Sequence, residues 1–145
     1  MKMFDRLIVL LFVLLIPGLL IFSCSKPKEG KAIVTEQEFF FHKSSDKGYD
    51  IWAKGKVKNV GKVDLKNVVV TSACGSCTTT LAPGRWMISG VEKTPDEKAL
   101  INYLAVGQEA EFNLKGVATM FNTSAEEPQK PEDIKVFVES FEIAD

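Results

Sequence analysis

Strict alternation of apolar and polar residues over residues 49–57 constrains the fold of this chain more than any other feature. Ile51 and Val57 fall on one side of an extended segment, and Lys54 and Lys56 fall on the other. Because successive side chains of a β-strand point to opposite faces, this period of two predicts a half-buried strand. Such a strand needs hydrogen-bonded neighbours and a covered face, which favours a domain built from sheets.

Similar β signals recur along the rest of the chain, separated by turn clusters. They comprise residues 32–41, 63–71, 84–91, 110–114, 117–121 and 134–143. Asn59 and Gly61 mark a tight turn, because Asn can bond its own backbone there and Gly permits the turn. About seven short strands at regular spacing predict an all-β, antiparallel sandwich.

One short helix is expected among these strands. Thr94, Pro95 and Glu97 have the arrangement of a helix start: a capping hydroxyl, a proline at the first position and a carboxylate that closes the capping box. Gly107 follows soon afterwards, so the helix should be brief.

Composition limits the classes of function. The chain has 145 residues, which allow one domain, and its 18 basic and 19 acidic side chains give a net charge of −1. This balance excludes a nucleic-acid binder that relies on a basic surplus. The lone His42 offers no Ser-His-Asp arrangement, and the acidic pairs at 126–127 and 132–133 lie in a proline-rich loop rather than in a glycosidase dyad. The sequence therefore predicts no enzyme activity, no catalytic residues, no cofactor and no metal site.

The N-terminus predicts a targeting segment. Lys2 and Arg6 precede residues 7–22, an uncharged apolar run that is short for a permanent bilayer span. This order is typical of a secretory signal, so we interpret residues 1–23 as a signal helix and residues 24–31 as a polar tether. The alternative is an uncleaved N-terminal anchor. Both interpretations place the rest of the chain outside the cytoplasm, at a membrane surface.

The end of the apolar run, Ile21-Phe22-Ser23-Cys24, resembles the lipobox of bacterial lipoproteins. Ile21, Ser23 and Cys24 fit that pattern, whereas Phe22 stands where a small residue is usual. The resemblance implies that Cys24 becomes the lipidated first residue of the mature chain, held on a membrane by its acyl chains. Ser25 in the second position is consistent with sorting to the outer membrane.

Three short motifs follow one another along the chain: Gly-x-Val-x-Asn at 55–59, Val-x-Val at 68–70 and Gly-x-x-Ala-x-Phe at 107–112. In this order they resemble small bacterial immunoglobulin-like domains of the FxLYD kind. The stretch that names that family should follow the second motif, and residues 71–77 stand there instead. The resemblance implies an immunoglobulin-like sandwich over residues 32–145 that acts as an extracytoplasmic binding or structural module.

Cys74 and Cys77 form the sharpest local motif. Two thiols at this spacing can form a small disulfide, hold half of a metal site or act in thiol–disulfide exchange. A complete zinc site lacks ligands, because Cys24 and His42 are the only other cysteine and histidine, and Thr78 stands where c-type haem attachment requires His. We expect a structural disulfide, which suits an oxidising compartment. Thiol exchange or metal handling is the alternative.

Aromatic residues offer a candidate partner surface. Three consecutive phenylalanines at 39–41 must place neighbouring rings on opposite faces of a strand, and Trp52 lies on the otherwise charged side of its own strand. If Phe40 and Trp52 are exposed, they form a patch that could dock an envelope protein. We favour the alternative, in which a second sheet, loop or helix covers both rings. Together these features predict a lipid-anchored, non-catalytic accessory module of the cell envelope.

Overall fold

The computed structural model describes residues 28–90, 92–121 and 126–144 and folds them into two sheets. The strands are β1 (Ala32–Lys43), β2 (Gly48–Asn59), β3 (Leu65–Ala73), β4 (Lys98–Leu104), β5 (Glu109–Phe121) and β6 (Lys135–Ile143). One sheet has the order β1-β2-β5 and the other β4-β3-β6, with all neighbours antiparallel. The predicted all-β class is confirmed, and two three-stranded sheets are compatible with a sandwich. Residues 1–23, interpreted as the signal helix, lie outside the described residues, as does Cys24.

One hydrophobic core joins the two sheets. Its principal members are the inward side chains of both: Ile51, Ala53, Val57, Phe112 and Leu114 from the first sheet, and Leu65, Val68, Val70, Leu104 and Val136 from the second. Ile51 and Val57 are completely buried whereas Lys54 is exposed, so the alternation predicted over residues 49–57 is confirmed. Removal of these apolar faces from water is the main force that holds the sheets together.

The strand predicted over residues 84–91 is wrong. Residues 84–90 form no strand; Met87 makes only isolated bridges to Thr78 and Thr119. Its backbone groups are divided between two partners: Thr78 N–H donates to the carbonyl of Trp86 and Ile88 N–H donates to the carbonyl of Thr78, whereas Met87 exchanges both of its backbone bonds with Thr119 of β5. Single bridges to different neighbours satisfy these groups without forming a continuous ladder.

The expected helix is a single 3₁₀ turn, Pro95–Glu97, and no α-helix occurs elsewhere in the described residues. The chain then continues at once as β4, a strand that was not predicted. Pairing of Leu100 with Val69 and of Ala99 with Val70 in β3 outweighs the local helix signal. In the part of the chain that the structure describes, no helix has the length and apolarity needed to cross a bilayer.

The segments 110–114 and 117–121 belong to one continuous strand, β5, rather than to two. In β2, Ile51 pairs with Ala118 and Ala53 pairs with Leu114. The single residue between them, Trp52, therefore lies opposite three residues of β5, which include Lys115 and Gly116. Gly116 adopts a φ of 69°, a left-handed conformation that glycine accepts without steric cost. The described residues therefore contain six strands instead of about seven.

The domain has two distinct ends. We call the end at which residues 29–31 lead into β1 the entry end. There these residues run beside the β2–β3 turn, where Val60 N–H and Gly61 N–H both donate to the carbonyl of Lys31. The β4–β5 turn lies there too, because Gly107 N–H donates to the carbonyl of Asn59. The far end holds the β1–β2 turn and the chain that follows β3. The 12 residues of β1 separate the two ends by about 40 Å.

Candidate functional site

Cys74 and Cys77 lie at disulfide-bonding distance, with their Cα atoms 5.4 Å apart. Cys74 follows the last residue of β3 and is buried in the core cluster, and Cys77 packs against the edge of that cluster. The Cα separation is ordinary for a disulfide. The bridge therefore closes a small loop at the far end.

A carboxylate occupies the mouth of this loop. Ser76 Oγ donates to Asp133 Oδ1 at 2.7 Å, and the backbone N–H groups of Ser76 and Gly75 add further hydrogen bonds that hold the pKa of Asp133 below its usual value. Cys74 Sγ lies 3.7 Å from the same oxygen. A fixed negative charge disfavours a thiolate at Cys74, and no helix begins after Cys77 to stabilise one. The geometry favours a structural disulfide over an exchange centre.

Phe40 and Trp52 are cross-strand partners on the outer face of the first sheet. Their ring centroids are 6.0 Å apart in an edge-to-face arrangement, and the ring of His42 stacks on Trp52 at 4.4 Å. Phe40 keeps 36% of its surface exposed, and Trp52 is partly exposed. The structure thus brings the two sequence-predicted residues together and adds His42 to them.

Lysine side chains lie over both rings. Lys54 Nζ is 5.6 Å from the centroid of Phe40, and Lys115 Nζ is 5.6 Å from that of Trp52. Both distances fall within cation–π range. Lys115 reaches this position because the β5 bulge lies opposite Trp52. We call Phe40, His42, Trp52 and Lys115 the Trp52 cluster.

A cleft of about 530 Å³ opens beside the Trp52 cluster. Asp50, Trp52 and Thr119 lie on the sheet side, and the opposite wall is formed by residues 78–90 and 92–97, which we call the wall loop. Thr119 Oγ1 donates to Asp50 Oδ1 at 2.8 Å, while Asp50 Oδ2 lies 4.0 Å from His42 Nδ1. The cleft therefore combines an aromatic ring with charged and hydroxyl groups.

Glu97 holds the wall loop in place. Its Oε2 accepts hydrogen bonds from Ser89 Oγ at 2.8 Å, Thr94 N–H at 2.7 Å and Thr94 Oγ1 at 2.9 Å. Burial alone would raise the pKa of Glu97, but the hydrogen bonds from Thr94 and Ser89, together with the nearby charge of Lys93, bring it below the usual value. Glu97 therefore remains an ionised carboxylate in the wall although only 4% of its surface is exposed.

Trp86 fixes the other part of the wall loop. Its ring stacks on Phe41 with centroids 5.8 Å apart, and its Nε1–H donates to the carbonyl of Gln129 at 2.8 Å. Phe41 faces inward on β1, so this contact ties the loop to the sheet. The wall loop is thus held by the hydrogen bonds of Glu97 in one part and by the contacts of Trp86 in the other.

Sequence reasoning missed much of this site. The sequence singles out neither Asp50, which falls within a predicted strand, nor Lys115, which falls between two, and it offers His42 no catalytic arrangement. The capping-box pattern did single out Thr94 and Glu97, but a local pattern carries no information about the cleft they border. Among the described residues, no group of three or more His, Cys, Asp and Glu side chains could hold a metal ion.

No family model, no curated protein and no solved structure matches this chain.

Proposed function

We propose that this protein is a non-catalytic binding module of the bacterial cell envelope, anchored in a membrane by lipid on Cys24 and exposed outside the cytoplasm. The observation that carries the proposal is the separation of the two ends of the domain. Residues 29–31 join the domain at the entry end, whereas the Trp52 cluster lies near the far turn of the β1–β2 hairpin. A lipid on Cys24 would therefore hold the entry end at the membrane and present the cluster away from it.

The length of the tether supports this orientation. The residues between Cys24 and β1 span about 25 Å when fully extended, so the entry end would remain close to the lipid surface. Glu29 and Lys31 already make backbone hydrogen bonds to the β2–β3 turn, which shortens the free part of the tether. A short tether restricts the directions in which the domain can point.

An immunoglobulin-like sandwich is the finer fold that we propose for residues 32–145. Two antiparallel three-stranded sheets around one core support it, as does the position of the Gly-x-Val-x-Asn motif, whose Asn59 ends β2. The disulfide between Cys74 and Cys77 supports an oxidising compartment outside the cytoplasm.

The anchor is tested by the intact mass of the protein extracted from the membrane fraction and alkylated without reduction. We expect a chain that begins at Cys24, carries acyl groups and has no alkyl group on Cys74 or Cys77. The Cys24→Ser variant is the control and should retain residues 1–23 without acylation. A wild-type chain that begins at Met1 and carries no lipid would contradict the proposal.

Thiol exchange is separated from a structural disulfide by a redox titration. A structural bridge should resist mild reductant, and replacing both cysteines by serine should lower stability by about 2 kcal/mol, the chain-entropy value for so small a loop. Reversible titration of Cys74 and Cys77 at the potentials of exchange proteins, without loss of stability, would favour the thiol-exchange function instead.

A further inference from the structure

We propose that the cleft beside Trp52 binds a small organic cation, whose ammonium group is received by the indole ring of Trp52. The proposal rests on the binding role proposed above and names the ligand class for the same site.

The ring of Trp52 already holds an ammonium group. Lys115 Nζ lies 5.6 Å from its centroid, and both residues line the cleft. An indole ring is the strongest of the aromatic acceptors for a cation. Lys115 belongs to a bulge next to Gly116, and its long side chain can turn away into solvent. Its ammonium therefore marks the position that a ligand ammonium would occupy.

Charge in the cleft favours a cation over an anion. Among the described residues that line the cleft, Asp50, Asp96 and Glu97 carry carboxylates, and Lys115 alone carries an ammonium. His42 is the remaining titratable group in the lining and stacks on the indole. Lys93 lies near Glu97, so when Lys115 turns away it is the ring, Asp50 and Asp96 that keep no ammonium group within the cleft. A field of one sign in a cleft raises the local concentration of oppositely charged ligands.

The dimensions and position of the cleft indicate a free small molecule. A volume of about 530 Å³ lies within the usual range for small-molecule sites, roughly 300 to 1,000 Å³. The cleft lies toward the far end of a hairpin about 40 Å long. Lipid headgroups of the membrane that holds the entry end would therefore lie beyond its reach.

The two tryptophans provide a direct test by NMR. The full chain is labelled with ¹⁵N in maltoside micelles, which carry no ammonium, and the indole N–H signals of Trp52 and Trp86 are followed. The probes are choline chloride and its neutral isostere 3,3-dimethylbutan-1-ol, at ionic strength matched with sodium chloride. We expect choline to shift the Trp52 signal saturably, while the Trp86 signal stays in place because its N–H is bonded to Gln129. The alcohol should have little effect.

Variants test the position of the cation. Lys115→Met removes the internal competitor and should tighten choline binding on the order of threefold, whereas Lys43→Met, outside the cleft, should leave it unchanged. Asp96→Asn should weaken binding, and Asp46→Asn in the β1–β2 turn should not. These surface variants keep the core intact, so each reports on binding rather than on folding.

Several results would overturn the proposal. Equal shifts with choline and the alcohol would indicate an apolar pocket, and an unmoved Trp52 signal would exclude a cation there. Unchanged or weaker binding by Lys115→Met would show that the ring is not the acceptor. A Trp52 shift in phosphatidylcholine nanodiscs, absent in phosphatidylglycerol nanodiscs, would assign the ammonium to a lipid headgroup. None of these results depends on acylation of Cys24, which the intact mass reports separately.

Discussion

Asp133 connects two segments that are far apart in the sequence. It precedes β6, and its carboxylate accepts hydrogen bonds from Ser76 Oγ and from the backbone of the disulfide loop. The small loop closed by Cys74 and Cys77 keeps those donors together. The disulfide therefore also positions the segment before β6, because it holds the hydrogen-bond donors that bind the Asp133 carboxylate.

The low pKa of Asp133 predicts how stability depends on pH. Folding lowers the pKa, so the unfolded chain binds more protons than the native one between the two values. The contribution of Asp133 should be fully present above the unfolded pKa of about 3.9 and should be lost as pH falls through the lower native value. Asp133→Asn should thus lower the melting temperature above about pH 5, with the difference vanishing at strongly acidic pH.

Thermal unfolding of both proteins, followed from about pH 7 down to strongly acidic pH, measures this difference. Asp46→Asn is the matched control, since Asp46 lies in the exposed β1–β2 turn. A gap between wild type and Asp133→Asn that stays constant down to the lowest pH would show that the carboxylate charge is not what stabilises the loop.

Asn59 shows how far a single residue can be predicted. The sequence predicted that it bonds its own backbone, and its Oδ1 accepts the Gly61 N–H at 2.9 Å. Its complete burial was not predictable, because Nδ2 donates to the carbonyls of Val63 and of Leu104, the latter 45 residues further along the chain. The hydrogen bond to Gly61 could be predicted because its partner is two residues away, whereas the bond to Leu104 depends on how the whole chain folds.

At the scale of elements, bulges decide which side chains reach the core. Asn67 in β3 adopts a φ of 50°, and pairing with β6 is irregular between Lys66 and Val69. Simple alternation would have placed Leu65 with Val69 on one face; instead Leu65 and Val68 are both buried. The alternation of apolar and polar residues predicted the strand β3, but it did not predict the point at which the inward-facing positions shift by one residue. A single left-handed residue changes the hydropathy pattern too little to be recognised in the sequence.

Substitutions at Asn67 test the bulge. A β-branched residue is strained at positive φ, so Asn67→Val should lower the free energy of unfolding by about 1–2 kcal/mol, whereas Asn67→Gly should change it by less than about 0.5 kcal/mol. Urea denaturation measures both values. Asn113→Val, on the exposed face of β5, is the control and should be nearly neutral because valine favours strands. Equal effects of Val and Gly at position 67 would contradict a role for the left-handed backbone.

At the scale of the whole molecule, the directions of the strands place the disulfide loop and the cleft at the far end and the proposed membrane attachment at the entry end. β2 runs from the far end to the entry end, and β3 returns, so Cys74 emerges at the far end. The aromatic rings of β1 and β2 lie toward that same end. The topology therefore separates the proposed anchor from the disulfide loop and the cleft by most of the length of the domain.

This polarity predicts different distances from the membrane for the two ends. Nitroxide labels on Val106→Cys, in the β4–β5 turn, and on Lys47→Cys, in the β1–β2 turn, report their distance from gadolinium-chelating lipids in nanodiscs. With Cys24 acylated, relaxation at position 106 should be strong and that at position 47 weak, since about 40 Å separates the two turns. The Cys74–Cys77 bridge stays oxidised, so only the introduced thiol reacts.

The same labels on the Cys24→Ser background provide the control, because a chain without lipid should show no preferred end toward the bilayer. Equal relaxation at both positions in the acylated protein would mean that the domain lies flat, with its sheets along the surface. The Trp52 cluster would then face lipid as readily as solvent, and its cleft would have to be assigned to a membrane component. A strong gradient from position 106 to position 47 instead leaves the cleft open to ligands from the surrounding solution.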